Sequence, residues 1–206
     1  TDGGNPLTAG KLYDSNGPMM EALLASRGIP VRRTRMSDSL DELARAAEEF
    51  EGNLLLLSGG SGPGDHDHTR AALEVAGFTI HASRINSRPG KPLIFATRER
   101  QIAFGLPGNS LSHWVCFQAF VSRALSLGEG KPAPKLIEAH CEQQPDSSGD
   151  GRRTWTPAHR DFQGGHLVVE PLAWKHSGDL SPLIAIDALL LDSPDPETKL
   201  IKTLLL

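Results

Sequence analysis

A short apolar run that ends abruptly at glycine residues places the strongest limit on the fold of this chain. Residues 54–57 are four consecutive leucines, and the segment SGGSGPG follows at residues 58–64. Four residues are too few for a helix, and an apolar run without polar alternation is typical of a strand that is buried on both faces. The run therefore predicts a central strand of an α/β sheet whose carboxyl end opens into a glycine loop.

Helical and strand patterns alternate around this run. Helices are predicted from apolar spacing and capping residues in residues 17–27, 39–52, 70–77 and 110–127, with Asn16 as the cap of the first and a capping box of Ser39 and Glu42 in the second. The strand candidates are the segments IPVRR, FTIHASRI, PLIFAT and IAFGL. We therefore predict an α/β fold, a three-layer sandwich with a mostly parallel sheet.

The pattern changes after a Pro- and Gly-containing linker at residues 128–134. The segments LIEAHCE, RTWTPAHR and HLVVEPL are short strand candidates, and polar loops such as QPDSSGDG separate them. We predict that residues 1–131 form the α/β domain and that residues 135–206 form a small all-β domain.

The composition excludes several classes of partner. The formal net charge of −4 provides no overall basic field for nucleic acid or an anionic membrane, and an aromatic content of 5% is low for a base-stacking protein. No apolar run approaches the length of a membrane helix, and the first residues lack the pattern of a signal peptide. Two distant cysteines fit reduced thiols and no zinc site. We expect a cytoplasmic protein that binds a small molecule at a local site.

The glycine loop is the first candidate for that site. Glycines after a buried strand let backbone N–H groups approach a phosphate, and the start of the next helix adds partial positive charge. A tight strand-to-helix connection is the structural alternative. Asp65 and Asp67 follow the loop and are explained either as helix caps or, beside a bound phosphate, as ligands of Mg²⁺.

A cluster of cations is the second candidate. Arg84, Arg88 and Lys91 lie within the segment RINSRPGKP of an otherwise acidic chain. Such local positive charge suits a phosphate or another oxyanion, and a solvated basic loop is the alternative.

The third candidate is the segment GLPGNS at residues 105–110, which again joins a strand to a helix. Ligands of open α/β sheets bind beyond the carboxyl ends of the strands. We therefore predict that the three loops converge on one crevice, whose binding residues are Ser58, Gly59, Gly60, Ser61, Gly62, Lys91, Pro107, Gly108, Asn109, Ser110 and Ser177.

Several segments, in order, resemble those of a known family. They are LYDSNGPMM, LSGGSGPGDHDHTR, RPGKPLIFAT and FGLPGNSLS, with GRRTW, HLVVEPL and HSGDLSPLIAIDALLLDSP in the last part. All are similar to segments of the molybdopterin molybdenumtransferase family (MoeA type, like the gephyrin E domain). The central fold is shared with the molybdopterin adenylyltransferases, but the last part favours the former family.

The resemblance implies a reaction and a set of residues. The family inserts molybdate into adenylylated molybdopterin and releases AMP with the help of a divalent cation. Asp67 and Asp38 match acidic residues of that family and are expected to act in catalysis and to hold Mg²⁺. Arg84 and Arg88 stand where the family has lysines and are also expected to act in catalysis. Ser110 stands where the family has proline, and Ser177 matches a residue that faces the ligand.

The resemblance also implies a homodimer and an N-terminal portion of the family that is missing from this chain. Two other functions stay open. One is a molybdopterin adenylyltransferase, which would consume ATP, and the other is a non-catalytic paralogue that binds the pterin or serves as a scaffold.

Overall fold

The structure, a computed structural model, describes residues 6–7, 9–10, 12–37, 39–58, 65–145 and 149–206, with only the backbone of residues 65–67. The predicted site residues Asp38, Gly59, Gly60, Ser61 and Gly62 lie outside these residues, as does the side chain of Asp67. None of the described helices is long and apolar enough to cross a bilayer.

Helices and strands alternate in the first part of the chain. In order they are α1 (Asn16–Ala25), α2 (Leu40–Glu48), β1 (Leu54–Ser58), α3 (Asp65–Val75), β2 (Thr79–Ser83), β3 (Ser87–Arg88), β4 (Ile94–Arg98), β5 (Gln101–Leu106), α4 (Ser110–Cys116) and α5 (Ser122–Gly128). A π-helical turn, Phe117–Val121, joins α4 to α5. The second part contains β6 (Leu136–His140), β7 (Arg153–Gln163), β8 (His166–Pro171), a 3₁₀ turn (Ser181–Ile184), β9 (Ala188–Leu191) and β10 (Leu200–Leu205).

The prediction of a strand at IPVRR is wrong. The described residues between α1 and α2 form neither helix nor strand. The guanidinium groups of Arg33 and Arg35 instead lie 3.3 Å from the Asp14 carboxylate. This segment is therefore held at the start of α1 by ion pairs, and no backbone ladder is needed to place it.

The predicted caps also differ in detail. Asn16 is the first residue of α1, and the carboxylate of Asp14 accepts the free Gly17 N–H at 2.9 Å. Ser39 precedes α2 but its side chain makes no capping bond. Instead the Glu42 carboxylate accepts a hydrogen bond of 2.7 Å from the hydroxyl of Ser37, which lies two residues before Ser39.

The first sheet is mixed, and the prediction of a mostly parallel sheet is wrong for the described strands. Its order is β1-β5-β4-β2, and only the pair β1–β5 is parallel. The connection between β4 and β5 has only two residues, Glu99 and Arg100, whereas a parallel pair needs a crossover of about a dozen or more. The short hairpin therefore forces an antiparallel neighbour into the middle of the sheet.

Hydrophobic clusters lie on both faces of this sheet. On one face, α1 and the helical segment from α4 to α5 pack against the strands through the buried residues Met20, Leu24, Leu93, Phe104, Leu106, Cys116, Phe117 and Val121. On the other face, α2 and α3 pack through Ala47, Leu73, Ala76, Phe78, Ile94, Ala96 and Ala103. The protein thus has a mixed α/β fold with helices against both sides of the first sheet.

The second sheet closes on itself. Its order is β3-β7-β8-β6-β10-β9, and β9 also pairs with β7, so that β6 to β10 form a closed sheet to which β3 is added. A third hydrophobic cluster joins α4 to this sheet through Leu111, Trp114, Val115, Trp155, Leu189, Leu191 and Leu204. The strands of the second part therefore pack directly on a helix of the first part.

Gly90 provides a test of the packing that positions the basic segment, residues 84–92, against α4. Its φ is +107°, and an added Cβ would lie 2.7 Å from the Sγ of the fully buried Cys116. We expect Gly90→Ala to lower the free energy of unfolding by about 2 kcal/mol, because both backbone strain and overpacking oppose the methyl group. Urea unfolding monitored by circular dichroism measures this change.

Gly128→Ala is the matched control. Gly128 is the last residue of α5, and an added Cβ would meet no atom within 4 Å. We expect this variant to be as stable as the wild type or more stable, since alanine favours the helix. Equal losses in both variants would contradict the role assigned to the contact between Gly90 and Cys116.

Candidate functional site

The register of the first sheet brings three loops to the same edge. The last residue of β1, Ser58, lies beside Leu106, the last residue of β5. One row inward, Gly105 lies beside Ile94, and Ile94 lies beside Ser83, the last residue of β2. The loops that follow β1, β2 and β5 therefore all leave the sheet at this edge, which is where the three predicted loops begin.

Helix α3 begins at the same edge. An added Cβ at Gly105 would lie 3.0 Å from Cγ2 of Thr69, so the first half of α3 packs closely over the end of β5. Asp67 is two residues earlier in this helix. The backbone of Asp67 is thus near the end of β5, although its side chain lies outside the described residues.

Two side chains fix the carbonyl groups of the turn between β5 and α4. The Asn16 side-chain amide donates a hydrogen bond of 2.7 Å to the carbonyl oxygen of Gly108. The ring of His113 contacts the carbonyl oxygen of Pro107 through Nδ1 at 2.9 Å. Both contacts come from helices, so the direction of this turn is set from two sides.

The other side of the turn contacts the second part of the chain. Asn109 donates from Nδ2 to the hydroxyl oxygen of Ser177 at 2.6 Å. The Ser112 N–H donates to the Ser177 carbonyl oxygen at 3.2 Å, and the hydroxyls of Ser15 and Ser110 lie 2.8 Å apart. The structure therefore brings together the predicted residues Pro107, Gly108, Asn109, Ser110 and Ser177 in one polar cluster.

His113 is neutral in this cluster. Its side chain is buried, and this burial lowers its pKa against the opposing influence of the Pro107 carbonyl and the Asp14 carboxylate. Since a carbonyl oxygen only accepts, the proton of the neutral ring is on Nδ1, which donates to Pro107. The Nε2 atom is buried without a hydrogen-bond partner.

Asp14 is an anion that organises the start of α1. Burial opposes its ionisation, but hydrogen bonds from Gly17 and Arg35 and the nearby charge of Arg33 lower its pKa. The residues 14–16 thereby present a fixed carboxylate, a hydroxyl and an amide beside the turn. The sequence indicates Asn16 as a helix cap, and it offers Asp14 and Ser15 only as part of the similar segment LYDSNGPMM.

The predicted cations lie in two places. Arg84 and Lys91 line a concavity of about 480 Å³ together with Ile85, Asn86, Asp150 and Arg152, which we call the basic concavity. Arg84 has a left-handed backbone with φ +58°. Three cations and one carboxylate line this surface, so its ionised side chains carry a net charge of two positive units.

Arg88 is directed elsewhere. It lies in β3, and its guanidinium carbon is 5.5 Å from the centre of the Trp174 ring. It is absent from the residues that line the basic concavity. Trp174 packs against the cluster that joins α4 to the closed sheet, three residues before Ser177. Arg88 thus contacts a ring that packs on this cluster, and it does not join Arg84 and Lys91 in the basic concavity.

Asp150 and Arg152 also line the basic concavity, but the sequence did not indicate them as site residues. The Arg152 Nε donates to the Asp150 carboxylate at 2.7 Å, and this contact raises the pKa of Arg152. The segment GRRTW was noted only as a similarity. The sequence signal was a pair of arginines next to an acidic loop, which by itself does not indicate that one of them lies beside residues 84–91.

The described residues contain no group of three or more His, Cys, Asp or Glu side chains that could hold a metal ion. Both predicted ligands of Mg²⁺, Asp38 and the side chain of Asp67, lie outside them. Among the described side chains, Arg84, Lys91 and Arg152 line the basic concavity, and their charges suit an anion there.

Comparisons with known proteins agree on one family. A family described as "Probable molybdopterin binding domain" matches residues 3–126. The molybdenum cofactor synthesis protein cinnamon of Drosophila melanogaster is 34% identical over 191 residues, which cover 90% of this chain and 32% of that protein. A molybdopterin molybdenumtransferase of a Nostoc species is 31% identical over 196 residues, which cover 89% of this chain and 44% of that protein.

A solved structure has the same fold. The crystal structure of a molybdopterin biosynthesis MoeA protein from Pyrococcus horikoshii superposes with a TM-score of 0.70 at 23% identity, covering 100% of this chain and 51% of that one. This chain thus spans about a third to a half of the length of these relatives.

The burial of His113 predicts how stability depends on pH. Its pKa in the folded state lies below the ordinary value of 6.5, so the folded protein binds this proton less readily than the unfolded chain. The contribution of His113 is fully present above pH 6.5 and is lost as the pH falls from there through the lower, folded-state pKa. Urea unfolding over this pH range measures the loss.

His113→Asn isolates this contribution. The asparagine amide can still donate to Pro107 but does not titrate. We expect its free energy of unfolding to change less with pH than that of the wild type over the same range. If the free energy of unfolding changes equally with pH in the two proteins, His113 binds its proton equally well in the folded and the unfolded state.

Proposed function

The chain belongs to the family of probable molybdopterin-binding domains, and on this premise we propose that it acts in molybdenum cofactor biosynthesis. In the proposed reaction molybdate is inserted into adenylylated molybdopterin, and AMP is released. The names of the curated relatives support this assignment, since they include molybdopterin molybdenumtransferases. Because the chain spans only part of those relatives, the activity is assigned to the complete polypeptide that contains it.

One observation carries the proposal for this chain itself. Strands β1, β2 and β5 end at the same edge of the first sheet, and Arg84 and Lys91, which follow β2, line a basic concavity together with Arg152 on a protein whose formal net charge is −4. A local excess of positive charge on an acidic protein suits a small anion and does not attract nucleic acid. Molybdate and a phosphorylated pterin both have this chemistry.

The residues of the site have separate proposed tasks. Arg84 and Lys91 bind the oxyanion or the pterin phosphate, because guanidinium and ammonium groups donate charge-assisted hydrogen bonds. Arg88, stacked on Trp174, holds a second part of the same ligand. We propose that the rest of the ligand is bound by Ser58, Gly59, Gly60, Ser61, Gly62, Pro107, Gly108, Asn109, Ser110 and Ser177.

The proposed step balances without a further reactant. Water hydrolyses the phosphoanhydride bond of adenylylated molybdopterin. The pterin keeps its own phosphate, and the adenylyl group leaves as AMP. The two dithiolene sulfurs bind molybdenum and displace one oxygen of molybdate, which leaves as water with the two thiol protons. This water equals the one that the hydrolysis consumes. The contribution of the cations is to neutralise the charge of the phosphates and of molybdate while both are bound.

A divalent cation is part of the proposal through Asp67 and Asp38. Carboxylates next to a phosphate are typical Mg²⁺ ligands, and the cation would neutralise charge on the leaving phosphate.

We also propose a homodimer, a cytoplasmic location, an N-terminal portion beyond this chain, a three-layer α/β domain over residues 1–131 and a small all-β domain over residues 135–206. Clusters on both faces of the first sheet and the closure of the second support the last two assignments.

Release of AMP tests the proposed function directly. The complete native polypeptide is mixed with adenylylated molybdopterin, molybdate and Mg²⁺, and AMP is quantified by chromatography. We expect release that requires both molybdate and Mg²⁺. Consumption of ATP with molybdopterin as the acceptor would assign the adenylyltransferase instead, and binding without any turnover would assign the non-catalytic paralogue.

Asp67→Asn tests the role of the loop carboxylate. We expect AMP release to fall about 100-fold or more, because a charge that acts on the transition state is removed, while calorimetric binding of the substrate persists. Asp65→Asn is the matched control, since asparagine also caps helices and activity should change less than about threefold. Equal losses in the two variants would assign both aspartates to the structure of the loop.

A further inference from the structure

We infer that Arg152 is a third cationic ligand of the dianion bound in the basic concavity, and that Asp150 holds its guanidinium until the dianion replaces this contact. The inference rests on the proposed function, because it adds a residue to the same site. It also assigns a task to the segment before β7, which belongs to the second part of the chain.

Backbone pairing fixes Arg152 beside the basic segment. Strand β3 pairs in parallel with the start of β7, so that Ser87 lies opposite Arg153. The Arg153 N–H donates to the Asn86 carbonyl oxygen at 3.3 Å, and the Asn86 side chain donates to the Gly151 carbonyl oxygen at 3.4 Å. Residues on both sides of Arg152 are therefore bound to the segment that carries Arg84 and Lys91.

The two consecutive arginines have different surroundings. Arg152 lines the basic concavity, whereas the Nε of Arg153 lies 2.5 Å from the Asp192 carboxylate, and Arg153 does not line the concavity. Neighbouring side chains of an extended chain point to opposite sides, which explains the separation. The sequence RR thus contains one arginine suited to a ligand and one that serves as an internal comparison.

The contact between Asp150 and Arg152 resembles the binding of an oxyanion. A single carboxylate oxygen, Oδ2, lies 2.7 Å from Nε and 2.5 Å from a terminal nitrogen of Arg152. The Arg152 side chain is 32% exposed and that of Asp150 is 43% exposed. Ion pairs with this exposure contribute little to stability, so a ligand with two negative charges can compete for the guanidinium.

Charge favours a dianion in this place. Arg84, Lys91 and Arg152 supply three positive charges, and Asp150 supplies one negative charge. A dianion neutralises the two remaining positive charges, and displacement of the Asp150 carboxylate gives it the five N–H donors of the guanidinium. Molybdate and a phosphate monoester share this chemistry.

Isothermal titration calorimetry with sodium molybdate at constant ionic strength tests the inference in the complete polypeptide. We expect Arg152→Gln to weaken binding about tenfold, because a charge-assisted hydrogen bond is lost. Asp150→Asn should strengthen binding about threefold or more, since it removes the competing charge. Arg153→Gln, which removes the same charge one residue away, should change affinity less than about twofold.

Each outcome has a defined meaning. Absence of molybdate binding by the wild type would overturn the proposed function and this inference together. Normal binding by Arg152→Gln, equal weakening by Arg153→Gln, or weaker binding by Asp150→Asn would overturn the inference alone. Thermal unfolding shows whether each variant is folded. If Arg152→Gln is not folded, Arg152→Lys replaces it. We expect Arg152→Lys to lose less affinity than the tenfold given for Arg152→Gln, but more than Arg153→Gln.

Discussion

The direction of three strands is the constraint on which the site depends. β1 and β5 are parallel, and β2 has the same direction because both β5 and β2 are antiparallel to β4. The reversed strand, β4, lies between them and sends no loop of its own to this edge. Strands β1, β2 and β5 therefore end at the same edge even though the sheet is mixed, and a helix packs over the end of β5 at Thr69.

This geometry explains why the sequence prediction succeeded for the elements and failed for the topology. The strand at the leucine run and the helices that begin near residues 16, 40 and 110 could be predicted from composition and spacing. The two-residue turn at Glu99 and Arg100 makes β4 antiparallel to β5, which the apolar pattern of the two strands does not indicate. IPVRR has the composition of a strand, and its arginines were instead recruited by Asp14, a contact that depends on how α1 is placed.

The candidate site shows the same division. Loops that follow strands could be located from local pattern, because glycine, proline and clustered charge are local signals. Contacts between distant positions could not, and they include those of Asn16 with Gly108, Asn109 with Ser177 and Arg88 with Trp174. Each depends on the way α4 packs between the first sheet and the closed sheet, for which no short segment carries a signal.

The π-helical turn at Phe117–Val121 gives α4 and α5 their shared role. Relative to an ordinary helix, a wider turn accommodates one additional residue and rotates everything after it by about 100°. Leu111 and Trp114 of α4 face the closed sheet, while Cys116 of the same helix and Phe117 and Val121 of the turn face the first sheet. The helical segment from α4 to α5 therefore contributes to two hydrophobic cores. The loss of one residue from the turn would change which of its side chains face each core.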